Sequence, residues 1–81
     1  MPYYVYMIEC KDGKLYTGIT NNLERRLKDH NSGNGGRFTR FRAPVTLVYT
    51  AEVLNRSEAL KREAAIKRLT RKEKVALVGV L

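Results

Sequence analysis

The first residues of the chain form a segment in which both alternating faces are apolar. Residues 3–9 are rich in aromatic and β-branched side chains, a composition that favours a strand. Alternation divides these side chains between two faces, with Tyr4, Tyr6 and Ile8 on one and Tyr3, Val5 and Met7 on the other. Because both faces are apolar, we predict a central strand from Tyr3 to Glu9 that is covered on both sides.

Two further strands are predicted from local composition and turn signals. Asp12-Gly13 favours a tight turn, and Leu15 to Ile19 is the strand expected to return from it. Gly18 lies near the end of that strand, where glycine often marks the close approach of another backbone or a ligand. Val45 to Glu52 is the third predicted strand.

A helix is predicted between the second and third strands. Asn21 or Asn22 is a suitable N-cap for a short helix from about Leu23 to Asn31, which Ser32-Gly33 should end. Leu23 and Leu27 are one helical turn apart, so we expect both of them to face the sheet.

Two more helices are predicted after the third strand. Ser57 is the predicted cap of a helix from roughly Glu58 to Leu69. Thr70 and Glu73 have the spacing of a capping box, so a separate last helix should run from Arg71 to about Val78. The resulting order, β-β-α-β-α-α, predicts an α+β fold in which helices pack on a sheet that begins with a hairpin. With 81 residues, we expect one domain over residues 1–81.

The charge balance indicates a polyanionic partner. Lys and Arg number 16 against 8 Asp and Glu, which gives a net charge of +8. Such an excess is self-repulsive, and nucleic acid is the partner that exploits it through counterion release. An acidic membrane surface is the alternative, but it favours one basic amphipathic helix with Trp, Phe or Leu opposite. Here Trp is absent and the basic residues are spread along the chain, so we predict nucleic acid and no membrane.

The single cysteine and the N-terminal residues bear on localisation. Cys10 has no partner for an intramolecular disulfide, which favours a reducing compartment, and we interpret it as a small residue near a strand end. The first residues show neither a basic segment nor an apolar one of the kind found in signal peptides. We therefore expect a cytoplasmic protein.

Arg26 and His30 are the first candidates for chemistry. They are four residues apart on the predicted first helix, so they share a face that borders the Leu23/Leu27 stripe. An Arg and a His one turn apart could donate together to phosphate oxygens. Alternatively, this is a solvated helix face on which His30 interacts with the helix dipole. Arg25 points about 100° away and is the expected outer contact.

Glu63 is a carboxylate within an apolar stripe. On a helical projection it falls between Leu60 and Ile66, near Ala59. A carboxylate there is costly unless it is paired or binds a metal. One interpretation is an ion pair with a core-bordering Arg such as Arg26. The other is a divalent cation held by one carboxylate, waters and a substrate phosphate, which is the ligation that Mg²⁺ prefers.

Tyr6 and Tyr16 lie on adjacent strands of the predicted hairpin, where their rings can approach each other. A reactive phenol must lose a proton whose ordinary pKa is about 10, so a metal, Arg or His would have to favour the phenolate. The structural alternative is that this aromatic pair simply fills the sheet.

The segment after the first helix is rich in Gly and Arg. Gly33-Asn34-Gly35-Gly36 is followed by Arg37, Arg40 and Arg42, with Phe38 and Phe41 between them. We interpret this segment as a flexible loop that faces the substrate. The sequence contains no zinc-type Cys/His spacing and no P-loop, and it has a single His, which disfavours a serine-protease-type triad.

Taken together, these residues resemble the GIY-YIG nuclease family. Tyr4-Val5-Tyr6 stands where the first family triplet falls, and Tyr16-Thr17-Gly18 where the second does. The segments 22–30 and 60–67 also match in spacing, so the likeness covers essentially the whole chain. It looks closest to the small stand-alone bacterial members of the UPF0213 type, in which a segment like 38–49 follows the glycine loop. Tyr4 replaces the first triplet's Gly, and Thr17 replaces the second triplet's Ile.

The resemblance implies a three-stranded antiparallel sheet flanked by helices, and metal-dependent hydrolysis of phosphodiester bonds. It implies that Tyr6 is the general base or orients the water, and that Tyr16 supports it. Arg26 would hold the phosphate, His30 would assist with the phosphate or the proton, and Glu63 would bind one Mg²⁺ or Mn²⁺. The basic residues expected to contact nucleic acid are Arg25, Arg37, Arg40, Arg42 and Lys67.

Three functions follow as hypotheses. The first is a metal-dependent endonuclease acting on nucleic acid, with DNA expected over RNA, in repair or recombination. The second is a basic nucleic-acid-binding module without catalysis that acts with a partner protein. The third is a homodimeric structural domain that uses the apolar segment Val75 to Leu81, although we expect a monomer. Family members often take their specificity from an attached domain, so specificity here should come from a protein partner or from the shape of the nucleic acid.

Overall fold

The computed structural model describes residues 2–32 and 44–78. Within these ranges the elements are the strands β1 (Tyr3–Glu9), β2 (Leu15–Thr20) and β3 (Thr46–Val53), and the helices α1 (Leu23–Asn31), α2 (Arg56–Lys67) and α3 (Arg71–Val78). Their order along the chain is the predicted β-β-α-β-α-α. The prediction of an α+β fold with a three-stranded antiparallel sheet is confirmed.

The sheet has the strand order β2-β1-β3, so β1 is the central strand, as its two apolar faces predicted. Both neighbours pair with β1 in antiparallel fashion. In the hairpin register Tyr6 lies opposite Gly18 and Ile8 lies opposite Tyr16. A tight turn joins β1 to β2, and Gly13 adopts φ 85° there, a backbone conformation that glycine tolerates best. The strands β2 and β3 form the two edges.

The helices cover both faces of the sheet. On one face Tyr6 and Ile8 pack with Cys10 and Val45, and Leu23 and Leu27 of α1 pack against this cluster. The Leu23/Leu27 stripe therefore faces the sheet as expected, and Cys10 is a buried residue just after β1.

On the opposite face, Val5 and Met7 pack with Ala59 and Ile66 of α2. Leu77 of α3 packs against the same cluster. Each face of β1 therefore anchors a different helical layer, and burial of these apolar side chains is the main stabilising contribution.

Helix caps follow the sequence at two of the three helices. Asn22, one of the two candidates, caps α1 by accepting a hydrogen bond from the Arg25 amide at 3.1 Å. Thr70 and Glu73 form the predicted capping box at α3, with each side chain accepting from the other residue's amide. These reciprocal bonds satisfy two amides that helical hydrogen bonding leaves open.

The predicted cap of α2 was wrong. The N-cap is Asn55, whose extended backbone lets its Oδ1 accept from the Glu58 amide at 3.0 Å. The helix therefore begins at Arg56 and ends at Lys67, earlier at both ends than the predicted Glu58 to Leu69. The third strand likewise runs one residue later than predicted at each end, from Thr46 to Val53. In the part of the chain that the structure describes, no helix is long and apolar enough to span a membrane.

Candidate active site

Tyr6 forms the floor of the candidate site. It lies in the middle of β1 on the face covered by α1, and only 2% of its surface is exposed. Its phenol oxygen is held between two side chains of α1, Arg26 and His30. The Tyr6 hydroxyl is therefore held by two side-chain hydrogen bonds. An aromatic ring that only filled space in the sheet would not need either of them.

Gly18 makes room for the Tyr6 ring. The two residues are direct partners in the β1–β2 register. A methyl group built on Gly18 would lie 2.5 Å from the Tyr6 hydroxyl oxygen and 2.7 Å from Cζ. A close approach at this glycine was expected from another backbone or a ligand, but the group that lies there is the Tyr6 side chain. The sequence marked Gly18 as a site of close approach but did not give the strand register. Without the register, Tyr6 could not be identified as the residue that lies over Gly18.

His30 lies next to Tyr6 and is fully buried. Its Nε2 is 2.9 Å from the Tyr6 hydroxyl, a buried hydrogen bond between elements 24 residues apart in sequence. The interpretation of a solvated helix face was therefore wrong for His30. Since the ring is turned inward onto Tyr6, its position suits proton transfer through Tyr6 better than direct contact with a phosphate.

Arg26 lies one turn before His30 and contacts the same phenol. Its Nε donates to the Tyr6 hydroxyl at 3.4 Å, and the residue is half-buried. The shared face of Arg26 and His30 is therefore confirmed as a border of the core. The guanidinium places a permanent positive charge beside the phenol, at the point where α1 meets the sheet.

Tyr16 completes the aromatic wall of the site. Its ring packs edge-on against His30, with ring centroids 5.3 Å apart and an interplanar angle of 62°. The Tyr6 ring makes a similar contact, at 5.8 Å and 61°. The two tyrosines thus meet through the imidazole, which both rings hold in place, and such edge-to-face contacts are favourable.

The electrostatics of the site keep both central groups neutral at rest. Burial raises the pKa of Tyr6 above its ordinary value of about 10, and the neighbouring Arg26 opposes this rise only in part. Burial also lowers the pKa of His30, and the positive charge of Arg26 lowers it further. A protonated phenol therefore lies next to an uncharged imidazole at neutral pH.

Glu63 is partly withdrawn from solvent on α2, with 19% of its side chain exposed. Its position between the buried Ala59 and Ile66 agrees with the stripe seen in the sequence. The helix contacts both β2 and β1, and the charge of Glu63 reaches Tyr6, whose pKa it raises. The ion pair that the structure gives Glu63 is with Lys67, at 3.5 Å, and not with the Arg26 anticipated from the sequence.

Of the five basic residues predicted to contact nucleic acid, the structure describes two, Arg25 and Lys67. Arg25 is exposed on α1, at the start of the helix and away from the phenol. Lys67 is the counter-ion of Glu63. The remaining three, Arg37, Arg40 and Arg42, lie outside the described residues.

Sequence reasoning missed a tether beside the site. The Asn31 side chain, at the end of α1, accepts a hydrogen bond from the Val45 amide at 2.7 Å. This bond joins the helix that carries Arg26 and His30 to the start of β3. No local pattern marks it, because the two residues are separated by 14 positions.

The donor set for a metal ion is small. Among the described residues, no three His, Cys, Asp or Glu side chains cluster in a way that could hold a metal. A single carboxylate such as Glu63 is nevertheless compatible with Mg²⁺, which commonly retains several waters and takes further ligands from a substrate phosphate.

A family model described as the GIY-YIG catalytic domain matches residues 2–76. Similar proteins include UPF0213 protein CPE1444 of Clostridium perfringens, which is 55% identical over 76 residues covering 94% of this chain and 82% of that protein. UPF0213 protein VNG_2274C of Halobacterium salinarum is 49% identical over 75 residues covering 93% and 97% of the two chains.

Two solved structures resemble the fold. The solution NMR structure of UPF0213 protein BH0048 from Bacillus halodurans has a TM-score of 0.64 and 45% identity, covering 99% of this chain and 85% of that one. The solution NMR structure of protein EF2693 from E. faecalis has a TM-score of 0.63 and 47% identity, covering 91% and 79%. The names of these relatives state no substrate.

Proposed function

Because the chain belongs to the GIY-YIG catalytic domain family, which is a nuclease family, we propose that it is a metal-dependent endonuclease acting on nucleic acid. DNA is the expected substrate, and repair or recombination the expected setting. The observation that carries the proposal is the hydrogen-bonded series Arg26–Tyr6–His30, in which a cation and a proton acceptor contact one buried phenol. The net charge of +8 supports a polyanionic substrate.

Arg26 is the residue proposed to hold the scissile phosphate. Guanidinium is a permanent cation whose planar N–H groups match phosphate oxygens, and its charge favours the additional negative charge of the transition state. Its Nε bond to Tyr6 places that charge next to the proposed base. The phosphate would thereby lie close to the group that activates the water.

The proton moves through Tyr6 to His30 in this proposal. Arg26 can only donate to the phenol oxygen, and His30 Nε2 accepts the phenol proton in the neutral tautomer that carries its proton on Nδ1, which is the tautomer that this proposal requires. A water O–H proton passes to the Tyr6 oxygen while the Tyr6 proton passes to His30. The water oxygen then bonds to phosphorus, the bond to the leaving sugar oxygen breaks, and solvent protonates that oxygen.

Tyr16 acts as a positioning residue here. Its edge-on contact with His30 restricts the orientation of the imidazole, whose Nε2 is hydrogen-bonded to Tyr6. Without this contact the imidazole could rotate away from the phenol. Its role is therefore to keep the acceptor aligned, a requirement that proton transfer imposes strictly.

Glu63 is the proposed ligand of one Mg²⁺ or Mn²⁺ ion. Such an ion, when bound, supplies positive charge that polarises a phosphoryl oxygen. The residue fits this role because it is a partly buried carboxylate on a helix that contacts both β1 and β2. Lys67 occupies the place of the counter-ion and would have to release Glu63 on metal binding.

The decisive experiment compares cleavage by the wild type and by Glu63→Ala on labelled DNA and RNA that include flaps, nicks, branched junctions and single strands. With Mg²⁺ or Mn²⁺, we expect the wild type to cut and the variant to lose cleavage by at least about a hundredfold while binding is retained. Glu58→Ala, at an exposed position of the same helix, is the matched control and should cut normally. Binding without cutting by the wild type would instead support a non-catalytic binding module.

Metal binding needs a readout that does not depend on turnover. Mn²⁺ broadens the NMR signals of nuclei near it, so the resonances of Tyr6 and His30 should broaden in the wild type and not in Glu63→Ala. Equal broadening in both proteins would place the ion elsewhere and refute the assignment of Glu63.

A further inference from the structure

A second basic site lies at the turn of the β1–β2 hairpin, away from Tyr6. It is a cavity of about 310 Å³ lined by Lys14, Leu15, Arg71 and Lys74. Lys14 immediately precedes β2 and Leu15 is its first residue, whereas Arg71 and Lys74 come from α3. Three cations from two separate elements thus surround one small space that has a single apolar wall.

Among the residues that the structure describes, these cations have no carboxylate partner. Within residues 2–32 and 44–78, no carboxylate lines the cavity, and no ion pair involves Lys14, Arg71 or Lys74. The nearest acids in sequence have other roles. Asp12 accepts from the Lys14 amide, and Glu73 accepts from the Thr70 amide in the capping box. Three like charges held together repel one another, and an external anion would relieve that repulsion.

Arg71 is already oriented in this cavity. Its Nη2 donates to the carbonyl oxygen of Gly13 at 3.1 Å, which joins α3 to the hairpin turn across 58 residues of sequence. Lys74, one turn along the same helix, is half-buried. The Arg71 guanidinium is therefore already ordered before an anion binds, which lowers the entropic cost of binding.

The cavity and the candidate active site lie on the two sides of one edge strand. Leu15 packs against the cluster under α2 and α3, whereas Tyr16 packs against the cluster under α1. Consecutive side chains of a strand point to opposite faces, and their Cα atoms are about 3.8 Å apart. Because β2 is an edge, a polyanionic strand that passes along it can contact both sites.

We propose that the Lys14/Arg71/Lys74 cavity binds a backbone phosphate of the nucleic acid at a position outside the cleaved bond. The proposal rests on nucleic acid being the partner, as in the proposed function, but it does not require cleavage. In this proposal the site makes no contact with the bases. It contacts the nucleic-acid backbone and so orients that backbone along β2. Its contribution is therefore electrostatic and insensitive to sequence.

The test is the salt dependence of binding to a fixed labelled duplex of about twenty base pairs, without divalent metal. Lys14→Gln/Lys74→Gln removes two cations of the cavity, and Lys61→Gln/Lys72→Gln is the control of equal net charge. Lys61 and Lys72 are exposed, and neither lines the cavity. Lys61 is two residues from Glu63 on α2, and Lys72 is two residues from Lys74 on α3. Residues two apart in a helix point to opposite sides, so Lys61 points away from Glu63 and Lys72 points away from Lys74.

We expect the slope of log affinity against log salt to become shallower by about 1 in Lys14→Gln/Lys74→Gln, relative to the control. Equal slopes in the two variants would overturn this inference even if the protein cuts. A shallower slope in a protein that never cuts would support this site and refute the proposed nuclease.

Discussion

The charge state of the His30 side chain depends on the fold. Burial and the charge of Arg26 lower its pKa below the ordinary value of about 6.5. The unfolded chain therefore binds the His30 proton at a higher pH than the folded chain does. Neutral His30 then favours folding above about pH 6.5, and this contribution is lost as pH falls through the ordinary value toward the folded one.

We predict that His30 titrates below about pH 6.5 in the native protein and that cleavage rises with pH through the same range. His30 must be neutral to accept the Tyr6 proton, so the two curves should share a midpoint. The chain has one histidine, so its ring resonances are unambiguous in an NMR titration. A His30 pKa at or above the ordinary value would contradict the proposed proton transfer.

Individual residues of the site were predictable where spacing alone decides them. The four-residue interval was enough to predict that Arg26 and His30 share a helix face that borders the core, and alternation placed Tyr6 and Ile8 on one face of β1. That this face of β1 meets α1 followed only from the family resemblance. The burial of His30 was not predictable, because it depends on how closely α1 approaches the sheet. The choice of Lys67 as the partner of Glu63 likewise depends on side-chain conformation, since a helical position offers neighbours three and four residues away in both directions.

At the level of elements, Gly18 couples the pairing of β1 and β2 to the position of the Tyr6 phenol. The space above it is filled by the Tyr6 ring, so an added methyl group must displace that ring or separate the strands. We predict that Gly18→Ala destabilises the protein by about 1–3 kcal/mol, the range for overpacking, and impairs cleavage.

A double-mutant cycle isolates this contact. In a Tyr6→Leu background the clash with the phenol is absent, so Gly18→Ala should cost clearly less free energy of unfolding than in the wild type. Chemical denaturation of the four proteins measures the difference. Equal costs in both backgrounds would mean that Gly18 is needed for its backbone and not for the space it leaves to Tyr6.

The beginning of α2 gives a second prediction for an element. Asn55 accepts from the Glu58 amide, whereas Ser57 lies exposed in the first turn of the helix. Asn55→Ala should therefore lower the free energy of unfolding by about 1 kcal/mol, the usual cost of removing an N-cap. Ser57→Ala should be nearly neutral in the same denaturation experiment. The reverse order would restore Ser57 as the cap.

The position of this cap explains why helix boundaries were harder to predict than helix existence. Asn55 and Ser57 are both good N-cap residues, and both precede Glu58 closely. Which of the two residues caps the helix depends on the backbone that leaves β3. This backbone keeps Asn55 extended, at φ −157° and ψ 179°, so Asn55 is the N-cap. By contrast, Thr70 and Glu73 can each satisfy the other's amide, so the capping box of α3 was determined by the sequence alone.

At the scale of the whole molecule, the positive charge is much larger than the negative charge available to balance it. The net charge is +8, and of the ion pairs among the described residues, Glu24–Lys28 and Glu58–Lys61 are largely exposed. Exposed pairs contribute little, commonly less than about 1 kcal/mol. Repulsion among the remaining cations should therefore outweigh the attraction of these pairs.

We predict that the melting temperature rises as NaCl is increased from about 10 to about 150 mM, because screening at a Debye length of about 8 Å weakens repulsion more than it weakens exposed pairs. Lys61→Gln/Lys72→Gln, with a charge two units smaller, should show a smaller rise, as measured by circular dichroism in each buffer. A melting temperature that falls with salt would mean that ion pairs dominate. If the rise is observed, a bound polyanion should stabilise the fold at low salt by the same means, since its phosphates would bring negative charge to the cations that the protein leaves uncompensated.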